Sequence, residues 1–137
     1  MVTNIQRIYL YALAIVVILV VFGIWFNISD RAKLSDVRLL SDVRKLSYSL
    51  ERYKQEFSRY PIGERVDLRT DIVLSENGFS RGTRVFYSGR MRSHRAVTYQ
   101  SDEKTYTIIF TLRQRWPDQG LEGTKCTVTQ FYRLTCT

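Results

Sequence analysis

Two cysteines, two prolines and a single histidine are all that this 137-residue chain holds of those types. Each scarcity argues against some chemistry. Cys126 and Cys136 are not spaced as CxxC, and no second Cys or His cluster accompanies them, which speaks against a zinc site. The one histidine, His94, lies in Arg90-Met91-Arg92-Ser93-His94-Arg95, and no acid occurs between Asn77 and Ser101. A nucleophilic triad needs a base oriented by an acid, so His94 is a poor catalyst. Its cationic neighbours should also discourage its protonation. There is no Gly-rich phosphate loop. Asp118 and Glu122 share a glycine-containing loop, but two carboxylates without a third acidic neighbour are a weak calcium signal. The chain reads as no enzyme, with no cofactor and no metal.

Charge is missing from a whole segment. From Ile8 to Phe26 nothing is more polar than two tyrosine hydroxyls. All 13 acidic side chains and all but one of the 21 basic ones follow that run. This segregation excludes a uniformly soluble domain, a multi-span transporter and a multi-domain enzyme. It leaves one membrane-length segment joined to one small basic domain. As a helix the run reaches about 28 Å, against a hydrocarbon core of roughly 30 Å. Ile15 to Val21 is mostly β-branched, as a buried strand would be, but the unbroken run is too long for a strand. Tyr9, Tyr11 and Trp25 stand where an interfacial aromatic belt would be.

Two other readings of the run fit less well. A cleaved signal peptide has a shorter apolar region and a small-x-small site after it. A buried core helix would need more chain than remains to wrap it. Orientation is contested. Arg31, Lys33, Arg38, Arg44 and Lys45 follow the run and only Arg7 precedes it, which taken alone puts the following domain in the cytoplasm. The cysteines favour an oxidising, extracytoplasmic side.

Helix breakers are absent for a long stretch. No proline precedes Pro61, and no glycine lies between Gly23 and Gly63. Leu34, Val37, Leu40, Val43, Leu46, Leu50, Tyr53 and Phe57 recur at steps of three or four, an apolar stripe. Arg38, Asp42, Arg44, Lys45, Glu51, Arg52, Gln55 and Glu56 form a polar face. The short SDVR repeat, at Ser35–Arg38 and Ser41–Arg44, reads as coincidence. One helix from about Ile5 to Arg59 is expected, ended by Tyr60-Pro61.

Beyond it, residues 62–81 read as a loop region with a short helical or extended piece around Leu68–Leu74. Strands are expected at Arg84–Ser88, Ala96–Ser101, Lys104–Arg113 and Lys125–Leu134, with a turn at Ser101-Asp102-Glu103. The expected fold class is α+β, a long N-terminal helix packed on a small antiparallel sheet. Residues 1–27 would form the transmembrane or filament-core half. Residues 28–137 would form the globular domain, with helix 28–59 and a sheet region at about 84–137. The expected core is the stripe plus Val85, Val97, Tyr99, Ile108, Phe110, Val128 and Phe131.

The order of parts resembles the type IV pilin-like proteins, and the major pseudopilins of type II secretion systems most. The match runs Ser41-Asp42-Val43…Leu46…Leu50…Tyr53-Lys54…Ser58-Arg59-Tyr60-Pro61, with six residues between Tyr53 and Tyr60. Members of that family carry a glutamate at the start of the apolar helix; here Ile5 or Ile8 holds that place, depending on the alignment. The resemblance implies a structural subunit that leaves the cytoplasmic membrane for a helical filament of its own copies, aided by pilus or secretion assembly machinery. Its helix core would use Ile8, Tyr9, Tyr11, Ile15, Leu19, Phe22 and Trp25. A single-pass protein with an extracytoplasmic domain is implied, becoming extracellular on polymerisation. A disulfide between Cys126 and Cys136 would agree, tying the end of the final strand to the loop before it. Two unpaired buried thiols are the alternative. A second function class also stays open: a single-span accessory protein that does not polymerise.

One stretch suggests binding. Arg81, Arg84, Arg90, Arg92 and Arg95 lie in an acid-free segment with Phe86 and Tyr87 between them. Arginine with interleaved aromatics can hold phosphates and stack on bases. Nucleic acid is thus a candidate partner, against the commoner reading of a solvated basic loop.

Overall fold

The structure is a computed structural model that describes the backbone from residue 2 onward and the side chains of residues 8–25 and 30–137. Met1, and the side chains of Ile5, Arg7, Phe26 and Asn27 used in the sequence reading, lie outside the described set. The fold is α+β. Helix α1 runs Val2–Phe57 without interruption; it contains no proline, and its single glycine, Gly23, does not break it. The chain divides into two compact units, residues 1–34 and 35–137.

The first unit is helical, and its large apolar side chains from Ile8 to Trp25 are all exposed. Among the described residues, α1 is the one helix long and apolar enough to cross a membrane.

The second unit holds the rest of α1 and seven strands. These are β1 (Gly63–Asp67), β2 (Ile72–Ser75), β3 (Val85–Gly89), β4 (Thr98–Ser101), β5 (Tyr106–Thr111), β6 (Lys125–Thr129) and β7 (Arg133–Cys136). A five-stranded antiparallel sheet has the order β1-β4-β5-β6-β7, and β2 pairs with β3 in a separate ribbon. Leu39, Val43, Leu46, Leu50 and Tyr53 of α1 share one core with Tyr60, Leu68, Leu74, Tyr99, Tyr106, Ile108, Phe110 and Val128. The helix ends where Ser58 turns into the left-handed region at φ 58°, and its N–H caps the Lys54 carbonyl at 2.8 Å. Tyr60 and Pro61 follow outside any helix or strand, as expected where a proline disfavours helical geometry in the residue before it.

The buried face of α1 differs from the expected stripe at its start. Leu34 and Val37 are about half exposed, and Leu40 is only partly buried. Four successive steps of three, from Leu34 to Leu46, each fall about 60° short of a full turn. Such a row winds around the helix. The buried face is instead Asp36, Leu39, Val43, Leu46, Leu50 and Tyr53, where steps of three and four alternate.

Other expectations also need correction. Gly63–Asp67 is a strand within the region read as a loop, and the short piece expected around Leu68–Leu74 is an extended one shifted to Ile72–Ser75. Strand β1 hides its alternation because it bulges between Glu64 and Val66, with Arg65 at φ 63°. Gly63 is required there: a Cβ would come within 2.9 Å of Val66 Cγ2 and 3.0 Å of the Tyr99 ring. Lys125–Leu134 is not one strand. It is β6 and the start of β7, joined by a tight turn with Phe131 and Tyr132 at positive φ. Phe131 therefore sits at a turn apex, 74% exposed, and not in the core. Val85 is half exposed as well. Its neighbour Phe86 takes the inward position on β3, with its ring 5.5 Å from that of Tyr53. Val97, Tyr99, Ile108, Phe110 and Val128 are buried as expected.

Candidate assembly surface and the basic segments

Between Ile8 and Trp25 the exposure of the large apolar side chains runs from 53% at Val17 to 72% at Tyr9. A contiguous apolar surface of this size is unusual on a soluble monomer and marks a lipid or protein contact. Helical periodicity puts Ile8, Tyr11, Ile15, Leu19 and Phe22 along one side. Tyr9 and Trp25 flank it. All seven side chains named as helix-core candidates are exposed.

The second unit is held by polar contacts that the sequence reading missed. Asp36 is 1% exposed. Its carboxylate accepts the Arg113 N–H at 2.9 Å, the Gln114 N–H at 3.0 Å and, at 3.4 Å, the Trp116 indole N–H. One helical side chain thus pins the segment after β5. A second such carboxylate is Glu51, which accepts the Tyr60 hydroxyl at 3.0 Å and the Phe131 N–H at 2.9 Å. Ser47 and Tyr106 are joined at 2.5 Å.

The residues that carry the pilin resemblance meet at this joint. Tyr53 donates its hydroxyl to the Glu76 carbonyl, Tyr60 is fully buried, and Tyr99 donates to the Pro61 carbonyl at 2.7 Å. Burial, then the Glu51 carboxylate, holds the Tyr60 phenol well above the usual tyrosine range. Burial likewise pushes Tyr106 up to about 12. These phenols stay protonated at any physiological pH. The spacing of Tyr53, Tyr60 and Pro61 therefore has a structural use. It locks the helix exit onto the sheet.

The five arginines of the acid-free stretch do not form one group along the chain. Arg81 and Arg84 precede β3, while Arg90, Arg92 and Arg95 follow it. All are exposed. The Arg84 guanidinium pairs with Glu56 and lies over the Phe86 ring. Glu76 organises the loop before β3 by accepting the Thr83 N–H at 2.9 Å and the Arg84 N–H at 2.8 Å. A bond from its own N–H first, then those from Thr83 and Arg84, lower its carboxyl to about 2. His94 has its pKa lowered by partial desolvation first, then by the charges of Arg113 and Arg95. Among the described residues no three His, Cys, Asp or Glu side chains gather as a metal site would need.

Cys126 and Cys136 form a disulfide. The bond joins Cys136, the last residue of β7, to the facing Cys126; Cys126 lies in strand β6 and not in a preceding loop. Replacing both cysteines with serine should destabilise the unit by about 2–3 kcal/mol, the chain-entropy value for so short a loop. Urea unfolding of the serine pair against wild type checks this, and a change under about 0.5 kcal/mol would show that the hairpin needs no covalent closure.

Comparison of the chain with protein-family models, with curated proteins and with solved structures finds no match. The architecture itself, a long apolar N-terminal helix whose later part packs on an antiparallel sheet, is compatible with a pilin-like fold.

Proposed function

We propose that the chain is a structural subunit of a type IV pilus-like or pseudopilus filament, polymerising through the apolar part of its N-terminal helix. One observation carries this reading. A single helix is wholly exposed and apolar from Ile8 to Trp25, then becomes the buried spine of a sheet domain. An apolar helix can leave lipid only where other apolar helices replace the lipid, since the backbone is already satisfied and the side chains need an apolar surround. A shared core of such helices does that. Contacts that repeat without closing then generate a helical filament. Copies of the chain are the principal partner, with pilus or secretion assembly machinery extracting them. Before assembly the subunit is a single-pass protein of the cytoplasmic membrane. The Cys126–Cys136 bond favours a globular unit on the oxidising side.

The test is direct. Purified full-length protein, transferred from detergent to detergent-free buffer, should form helical filaments visible by electron microscopy. Single particles or amorphous aggregate alone would overturn the proposal and favour a single-span accessory protein that never polymerises.

A further inference from the structure

We propose that strand β7 is an open sheet edge that takes an extended acidic segment of a partner protein as an added strand. The site lies wholly within the unit of residues 35–137 and owes nothing to the apolar run.

Hydrogen-bond phase identifies the open groups. Lys125 and Thr137 exchange both backbone bonds, at 3.1 and 2.9 Å. In an antiparallel ladder such pairs alternate with pairs that exchange none. The register Thr127↔Thr135 and Thr129↔Arg133 therefore commits the backbone groups of Arg133, Thr135 and Thr137 to β6. Those of Leu134 and Cys136 point the other way. Their own pairs are of the close, unbonded kind: the Cα atoms of Cys126 and Cys136 are 4.1 Å apart, near the ~4.5 Å expected. Strand β7 ends the sheet order, so among the described residues no strand meets the N–H and C=O groups of Leu134 and Cys136. A row of such groups is the template for strand addition.

The opposite edge is defended. Strand β1 bulges at Arg65, the Thr70 hydroxyl occupies the Asp67 carbonyl, and the Met91 N–H occupies the Leu68 carbonyl. Strand β7 has no bulge, glycine or proline. Edge strands fray, but here the disulfide ties Cys136 to β6, and the Thr127 and Thr135 hydroxyls bond at 2.8 Å. A template held in place loses less freedom on pairing.

Charge chooses the occupant. From Lys125 to Thr137 the chain has two cations, Lys125 and Arg133, and no acid. Both are exposed, and neither takes part in an ion pair among the described residues. Glu51, which reaches the turn, is occupied by the Phe131 N–H and the Tyr60 hydroxyl. Glu122 lies outside the hairpin, in the loop before β6. The pleat puts Lys125, Arg133, Thr135 and Thr137 on one face, and the half-buried Leu134 and Cys136 on the other. An added strand should therefore set acidic residues opposite Arg133 and Thr137, and apolar ones opposite Leu134 and Cys136. The β7 strand of a second copy, with Leu134 facing Cys136, would instead set Arg133 against Thr137 of the other copy, next to that copy's Lys125, cation beside cation.

The probe is an acetylated, amidated peptide, Glu-Val-Glu-Val-Glu, added without reductant to the full chain in detergent micelles. Amide hydrogen exchange is read residue by residue by NMR. In the free protein Leu134 and Cys136 should exchange fast, and Arg133, Thr135 and Thr137 slowly. Peptide at about 5 mM should slow Leu134 and Cys136 by roughly threefold or more, the factor for a Kd of half that concentration or less. Methylating the N–H of both valines should remove the protection, because those groups bond to β7. Methylating the central glutamate, whose N–H faces away, should leave it unchanged. Lysine in place of glutamate should abolish binding, and R133Q should weaken it roughly twofold to fivefold. Equal protection by the lysine peptide, protection that survives valine methylation, or no protection at all would overturn the proposal. Slow exchange at Leu134 and Cys136 without peptide, growing with protein concentration, would assign the edge to a second copy and overturn the acidic partner. Each outcome leaves insertion and filament formation by the apolar run untouched.

Discussion

Asp36→Ala is expected to destabilise the globular unit by about 3–4 kcal/mol. The carboxylate is 1% exposed and accepts two backbone N–H groups at 3.0 Å or less, with the Trp116 indole further off. Hydrogen bonds to a charged acceptor contribute about 1.5–3 kcal/mol each, and a donor left unsatisfied costs its own desolvation. The lower end of a simple sum is appropriate, since Arg113 is exposed and water can reach part of the vacated site. For a domain of roughly 100 residues the loss corresponds to a fall in Tm of about 12–25 °C. Asp36→Asn keeps one acceptor oxygen and should retain about half of the stability. Arg113→Ala should be nearly neutral, within about 0.5 kcal/mol, because the donor at that position is backbone. Thermal unfolding of the three variants measures the series. If Asp36→Ala melts within a degree or two of wild type, Asp36 does not anchor the segment after β5. If Arg113→Ala is the damaging change, a side-chain ion pair holds the segment instead.

Asp36 also shows what the sequence could and could not disclose. Length without proline made the long helix plain, and alternating apolar residues marked β4 and β5. The phase of the helix was harder. A row of Leu and Val spaced by threes looked like a stripe, while the true buried face began with an aspartate. A carboxylate in the core is normally a liability, and what makes it tolerable is a set of N–H donors 77 and 78 residues away. No local pattern encodes partners that distant. The SDVR repeat held a usable clue. Six residues of helix rotate by about 240°, so Asp36 and Asp42 cannot share a face. Asp42 accordingly sits near Lys45 at the surface while Asp36 is buried.

The sheet failed to show itself for different reasons. The bulge at Arg65 and the charged residues of β1 erase period-two alternation. The β6–β7 turn contains neither glycine nor proline; Phe131 and Tyr132 adopt left-handed backbone without them. Turn chemistry that uses no special residue cannot be seen in a sequence. The candidate surface divided in the same way. The exposed apolar run could be read residue by residue, because its exposure needs no tertiary partner. The Asp36 anchor could not, because the N–H groups of Arg113 and Gln114 reach it only through the fold.

Val17→Lys should lower membrane insertion of the full chain by about two orders of magnitude. Val17 is the midpoint of the Ile8–Phe26 run and is 53% exposed, with no charged side chain nearby in the sequence to pair with a lysine. A lysine at the centre of a span costs about 2.5–3.5 kcal/mol on insertion scales, against a small gain for valine. The difference of about 3 kcal/mol corresponds to a partition ratio of roughly 100 or more. Tyr9→Lys provides the control. Near the end of the run a lysine can extend its stem along the apolar surface and keep its ammonium in water, so the change should stay within about tenfold. The fraction of chain resisting alkaline extraction from membranes reads both variants. In a filament the same lysine would be sealed among apolar helices, where an unpaired charge is costlier still; Val17→Lys should therefore abolish filaments even in the fraction that inserts. Full insertion of Val17→Lys would mean that the segment does not cross lipid at its centre. Normal insertion with normal filaments would mean that Val17 faces water in both states, and the helix core would have to be sought elsewhere along α1.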